Sequence, residues 1–174
     1  MTKILTGRHV AVLAADGVQE VELVQPRQAV EDAGATTELL SIKEGSLQAV
    51  NQDIKSVDTY PVDKLVSDAS PDDYDALILP GGVANPGNLR GSAAMRFVQA
   101  FVDSGKPVGV ICHGPWTLIG SGVVRGRTMT SHPRLRTGVR DAGGTVADEE
   151  VVSDLPAFCR EIVAEFADGR RQAS

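Results

Sequence analysis

Two cysteines, three histidines and no long apolar run set the first limits on this 174-residue chain. Two cysteines are too few for a disulfide framework, and neither makes a metal-ligand spacing with a histidine, so no metal site is expected. No apolar stretch approaches the length of a membrane span. The opening Met1-Thr-Lys-Ile-Leu-Thr-Gly7 has no signal-peptide core, which predicts a cytoplasmic protein without membrane contact. Positive charge is not in excess. A net charge of −6 argues against nucleic acid or an acidic lipid surface as a partner. The glycine loops match neither G-x-G-x-x-G nor a P-loop, so no nucleotide or other organic cofactor is implied. Internal repeats, low-complexity tracts and linkers are absent. With 42% hydrophobic residues, the whole chain, 1–174, reads as one globular domain able to bury a core.

What remains alternates between strand and helix. His9 to Ala14 reads as a buried strand, Glu20 to Ala33 as a helix closed by Gly34, and Thr36 to Ile42 as a second strand. Lys43 to Tyr60 is polar and irregular, compatible with a hairpin or an edge excursion. Asp75 to Pro80 is a further strand running into Gly81-Gly82, and Leu89 to Asp103 a helix with Met95, Phe97, Val98, Phe101 and Val102 facing inward. After the Val108 strand come Val123 to Ser131, a helix from Pro133 to Ala142, a strand near Thr145 and a closing helix. In that helix Leu155, Phe158, Cys159, Ile162, Val163 and Phe166 share one face, making Cys159 a small core residue. His9, opening the first strand, reads as structural. This order implies an α/β fold: a mainly parallel sheet with helices on both faces, its ligands bound beyond the carboxyl ends of the strands.

One segment carries the chemistry. Val108-Gly-Val-Ile-Cys-His-Gly-Pro-Trp116 is a short strand that stops at Cys112 and turns towards a helix-compatible stretch. That is the layout of a nucleophile elbow with cysteine in place of serine. The positive end of the following helix favours thiolate over thiol. Glu22, early in the first helix, can supply a carboxyl, although a helix N-terminus favours an acid there in any case. Gly81-Gly82 lets backbone approach a ligand and aim its N–H groups at an oxyanion, or forms a plain turn.

Together, Gly17-x-x-Glu-Val-Glu-Leu23, Tyr74-Asp-Ala-Leu-Ile-Leu-Pro-Gly-Gly82, Gly105-Lys-Pro-Val-x-x-Ile-Cys-His-Gly-Pro115, Gly122-Val-x-Arg-Gly-Arg127 and Thr130-Ser131 resemble the ThiJ/PfpI superfamily. The resemblance is strongest to its PfpI-type intracellular protease, deglycase and stress-protein branch, and runs from Arg8 to Phe166. It implies a flavodoxin-like sandwich of the class I glutamine amidotransferase-like type, assembled as a homodimer or a larger homo-oligomer. It also implies Cys112 as nucleophile, a protonated Glu22 against the sulfur, and an oxyanion hole from the backbone of Gly81, Gly82 and His113. The activities of the family are peptide hydrolysis, repair of glycated amines and conversion of methylglyoxal to lactate.

The chain departs from the family pattern in three places. In protease-like relatives an acidic residue after Gly-Gly orients the histidine. Here the loop reads Val83-Ala-Asn-Pro-Gly-Asn-Leu89, with Gly87 at the acidic position and only Asn85 or Asn88 able to hydrogen-bond an imidazole. His132 stands where relatives carry an aromatic residue, either as an auxiliary acid–base group or as a space filler. Glu149-Glu-Val-Val-Ser-Asp-Leu-Pro156 joins directly what relatives separate by a strand, a turn and a Ser-Arg-containing segment.

Three functions compete. A glyoxalase- or deglycase-type enzyme, acting on small carbonyl compounds or glycated amines, needs only a thiol, a carboxyl and oxyanion donors. A cysteine peptidase or amidase additionally needs an oriented His113. A non-catalytic stress protein would use Cys112 as an oxidant sensor. The first is preferred, because the orienting acid is missing at Gly87.

Overall fold

A computed structural model describes residues 3–51, 55–82, 84–89, 93–111, 128–129, 145–146 and 155–168. β1 (His9–Leu13) leads through the short β2 (Val18–Gln19) into α1 (Glu20–Asp32) and β3 (Thr36–Ser41). β4 (Ser46–Asn51) and β5 (Lys55–Pro61) follow, then β6 (Lys64–Leu65), two 3-10 turns and β7 (Ala76–Leu79). α2 (Asn85–Leu89), α3 (Ala93–Asp103) and β8 (Val108–Val110) complete this half. Beyond it are β9 (Thr128–Met129), β10 (Thr145–Val146) and α4 (Leu155–Asp168). The main sheet has the order β6-β3-β1-β7-β8 and is parallel throughout.

The apolar strands are continuous because the sheet is covered on both faces. Val10, Val12, Leu39 and Ile78 point to one side, where Leu23 and Val30 of α1 and Phe158, Ile162 and Phe166 of α4 meet them. Ala11, Leu13, Leu40, Leu77 and Leu79 point to the other, against Ala94, Phe97, Val98 and Phe101 of α3. The strand period of two thus feeds two cores. Gly109 in β8 lies so close to α4 that a Cβ there would meet Ile162 Cγ2 at 2.7 Å. α1 ends as expected: Gly34 has φ +104°, Ala35 N–H donates to the Val30 carbonyl and Gly34 N–H to that of Glu31.

The polar stretch after β3 resolves into an antiparallel hairpin, β4–β5, with β2 added in parallel. Its register slips between Gln48 and Val50, and the Gln48 amide fills the irregularity by donating to the Val57 carbonyl at 2.7 Å. Two readings need correction. The stretch before Leu89 is not simply a loop: Asn85–Leu89 is helical (α2), with Pro86 in its first turn, where the missing N–H has no intrahelical acceptor to serve. Cys159 lies beside the core line of α4, half-buried near Ile4, Ala29 and Val163. Burial pushes its thiol up, with only the Arg160 charge opposing. His9 sits at the opposite end of the strands from the glycine loops, against the Tyr74 ring with centroids 4.8 Å apart, as a structural residue would. Among the described residues, no helix is long and apolar enough to cross a membrane, and no cluster of His, Cys, Asp and Glu could hold a metal.

Candidate active site

The chain leaves β1 towards β3 and leaves β7 towards β8, in opposite directions across the sheet. The crevice between two such strands, beyond their carboxyl ends, is where open α/β sheets place ligands. Two loops meet there. Gly17, with φ +85°, turns the chain after β1 so closely that a Cβ would lie 2.6 Å from Ala84 Cβ. Gly82, with φ +105°, turns the chain after β7, and a Cβ there would lie 2.3 Å from the Gly17 carbonyl oxygen. Gln19 N–H donates to the Gly81 carbonyl at 3.2 Å.

Glu22 is three residues further on, in the first turn of α1, and only 7% exposed. Its neighbour in that turn, Glu20, is turned outward: its Oε1 accepts from the Tyr60 hydroxyl at 2.7 Å. Burial, then the hydrogen bond and charge of Glu20, push the Tyr60 hydroxyl up to about 12. The hairpin therefore engages one first-turn acid and leaves the other as the buried carboxyl at the sheet edge. Gly81 and Gly82 are buried as well, and among the described residues no acceptor meets either N–H.

β8 pairs with β7 in register, and Ile111 N–H donates to the Leu79 carbonyl at 3.3 Å. Ile111 is the last described residue of this strand. Cys112, His113 and His132 lie outside the described residues, as do Gly122 to Arg127, the expected helix from Pro133 and the Glu149–Pro156 junction up to Asp154. Of the expected site residues, the structure thus brings Glu22, Gly81 and Gly82 to one edge.

Two residues with other roles emerge. Asn85, a candidate partner for an imidazole, instead spends both ends of its amide on backbone: Oδ1 accepts from Ala15 N–H at 2.6 Å and Nδ2 donates to the Pro80 carbonyl at 2.9 Å. Asn88 donates to the Asp16 carbonyl at 2.8 Å. Asp16 was not anticipated. Its carboxylate accepts from Gln48 N–H at 2.8 Å and from Lys43 Nζ at 2.7 Å, pinning the loop after β1 to the hairpin. The Asp-Gly pair was the available signal, since it marks a turn.

Burial raises the Asp16 pKa, but the Lys43 and Gln48 hydrogen bonds and the Lys43 charge outweigh it, leaving the carboxyl below its ordinary 3.8. A folded-state pKa below the unfolded one means stability that is present above pH 3.8 and lost as pH falls through the folded value. Thermal melts of the wild type and Asp16→Asn should therefore differ most well above pH 3.8 and converge as the pH falls below it. A gap that widens on acidification would contradict the assignment. Because the pair is half-exposed, the effect is small.

A model of the DJ-1/PfpI family matches residues 8–162. The chain belongs to the DJ-1/PfpI family. Among its relatives in this family, an uncharacterised protein of Staphylococcus haemolyticus is 34% identical over 91% of this chain and 98% of its own. A deglycase of Thermococcus kodakarensis is 36% identical over 88% of this chain and 96% of its own. Protein/nucleic acid deglycase 2 of Escherichia coli is also 36% identical, over 88% and 95%. Among solved structures, a two-domain protein of Anabaena variabilis with DJ-1/ThiJ/PfpI-like and ferritin-like domains superimposes with a TM-score of 0.82 at 25% identity. The match covers 90% of this chain and 47% of that one. DJ-1 of Schizosaccharomyces pombe, at 22% identity, shares the fold with a TM-score of 0.70 over 95% of this chain and 92% of its own.

Proposed function

We propose that this protein is a cysteine-dependent enzyme acting on reactive dicarbonyls or the amines they have glycated, with Cys112 as nucleophile and Glu22 as proton carrier. The observation that carries the reading is the buried Glu22 carboxyl, in the first turn of α1, directly after the loop locked against Gly81 and Gly82, whose N–H groups meet no described acceptor. Ile111, which immediately precedes Cys112 in the chain, lies at the end of the neighbouring strand, its N–H donating to the Leu79 carbonyl. The deglycase names of two relatives support the substrate class.

For a dicarbonyl such as methylglyoxal, the Cys112 thiolate adds to the aldehyde carbon, forming a C–S bond, and the aldehyde oxygen takes up a proton. The N–H groups of Gly81 and Gly82 stabilise the negative charge that develops on that oxygen. Glu22 then moves the proton on the former aldehyde carbon to the ketone carbon, while the hydroxyl proton of the hemithioacetal passes to the ketone oxygen. The first carbon is oxidised to a thioester and the second reduced to an alcohol, with no external oxidant. Water cleaves the thioester, giving lactate and the free thiol.

Peptide hydrolysis is disfavoured, because it requires an oriented histidine, no acid stands at Gly87, and the Asn85 amide is tied to backbone through both its oxygen and its nitrogen. Glu22→Gln keeps the size of the side chain and removes the proton carrier. Its kcat for lactate formation should fall by about 10²- to 10⁴-fold. An oxidant sensor would give no turnover in either protein, and the substitution would alter only the oxidation of Cys112 followed by mass spectrometry.

A further inference from the structure

The crevice between β1 and β7 is closed at its base by one side chain. The two strands pair from Val10 with Ala76 to Val12 with Ile78. Beyond that their ladder ends, while Ala14 N–H continues the pairing with β3 by donating to the Leu40 carbonyl. Asn85, 0% exposed, fills the opening. Its Oδ1 takes the Ala15 N–H and its Nδ2 serves the Pro80 carbonyl. The side-chain amide thus stands where the next peptide unit of the ladder would be. Its orientation is dictated by its partners, since Ala15 N–H can only donate and the Pro80 carbonyl can only accept.

The residues tied together are the first ones of the two site loops. Ala15 begins the loop that leads to Glu22, and Pro80 immediately precedes Gly81-Gly82. Among the described residues, the other ties across the gap are the 3.2 Å bond from Gln19 N–H to the Gly81 carbonyl and the exposed bond from Asn88 to Asp16. Those lie further out, where two positive-φ glycines already crowd each other. The buried amide sets the spacing from below.

The geometry points to Asn85 as a positioning residue that fixes the distance between the Glu22 loop and the Gly81–Gly82 donors. Its consequence for turnover rests on the carbonyl-enzyme reading above. Its consequence for the loops does not.

The test uses the full chain with Asn85→Ala and Asn85→Asp. In the first, both backbone groups lose their partner. In the second, the shape is kept and an oxygen replaces the nitrogen facing the Pro80 carbonyl, which is tolerated only when the carboxyl is protonated and can donate. Amide hydrogen exchange reads the clamp directly. Gln19 N–H, which does not touch Asn85, should exchange faster in Asn85→Ala, while Ile162 and Phe166 in α4 stay protected. With methylglyoxal, kcat of Asn85→Ala should fall about 100-fold with little change in KM, because a small misplacement of reacting groups slows chemistry without removing substrate contacts. The kcat of Asn85→Asp relative to wild type should rise as pH falls. Wild-type protection of Gln19 in Asn85→Ala, an unchanged kcat, or a pH-independent ratio for Asn85→Asp would each overturn the assignment. If wild type makes no lactate while exchange at Gln19 still quickens, the carbonyl reading fails and the clamp stands.

Discussion

Cys112→Ser should abolish lactate formation from methylglyoxal, with a loss of at least about 10³-fold in kcat/KM, and leave the melting temperature close to that of wild type. Serine keeps the size of the side chain but is hardly ionised at neutral pH, so it cannot replace a thiolate as the attacking group. Loss of a sole nucleophile removes the whole covalent route rather than a fraction of it. Cys159→Ser is the matched control. Its thiol is pushed up by burial on the flank of α4, away from the glycine loops, and its loss should leave turnover unchanged. Equal losses in the two variants would remove Cys112 from its role.

Gly82→Ala is expected to have the largest effect on stability. The backbone there has φ +105°, which already disfavours a side chain, and the added Cβ would sit 2.3 Å from the Gly17 carbonyl oxygen and 2.8 Å from Gln19 N. Those are main-chain atoms held by the sheet, so they cannot swing aside. Strain and clash together should cost about 3–5 kcal/mol. Gly45→Ala separates the two contributions. It also has a positive φ, +88°, but nothing lies within 4 Å of its added Cβ, so only the strain remains, about 1 kcal/mol. Urea denaturation of both variants measures the difference. Equal midpoints would mean that the two loops do not approach each other as described.

Much of this was readable from the chain because local chemistry dictated it. Val10 to Leu13 and Leu77 to Leu79 are apolar at every position, as strands covered on both faces must be, and the structure divides them between two cores. Gly34 announced the end of α1 by the φ its position requires. The hairpin was harder, since Gln48 interrupts its alternation to fill a bulge that exists only once β5 is paired. α2 was missed because Asn-Pro-Gly-Asn reads as a turn and five residues show no helical period. In the site, Glu22 and Gly81-Gly82 stood out by residue type and place after strands. The work of Asn85 did not, because its partner Ala15 is 70 residues away and only the topology makes them neighbours. Asp16 is similar, since its role depends on Gln48, 32 residues on.

The most direct test of the account is the time course of lactate from methylglyoxal with wild type, Cys112→Ser and Glu22→Gln assayed side by side at equal folded concentration. The account predicts many turnovers per subunit for wild type and no lactate above buffer for Cys112→Ser. Glu22→Gln should be slower than wild type by at least about 100-fold. No lactate from wild type, or the same rate from all three proteins, would contradict it.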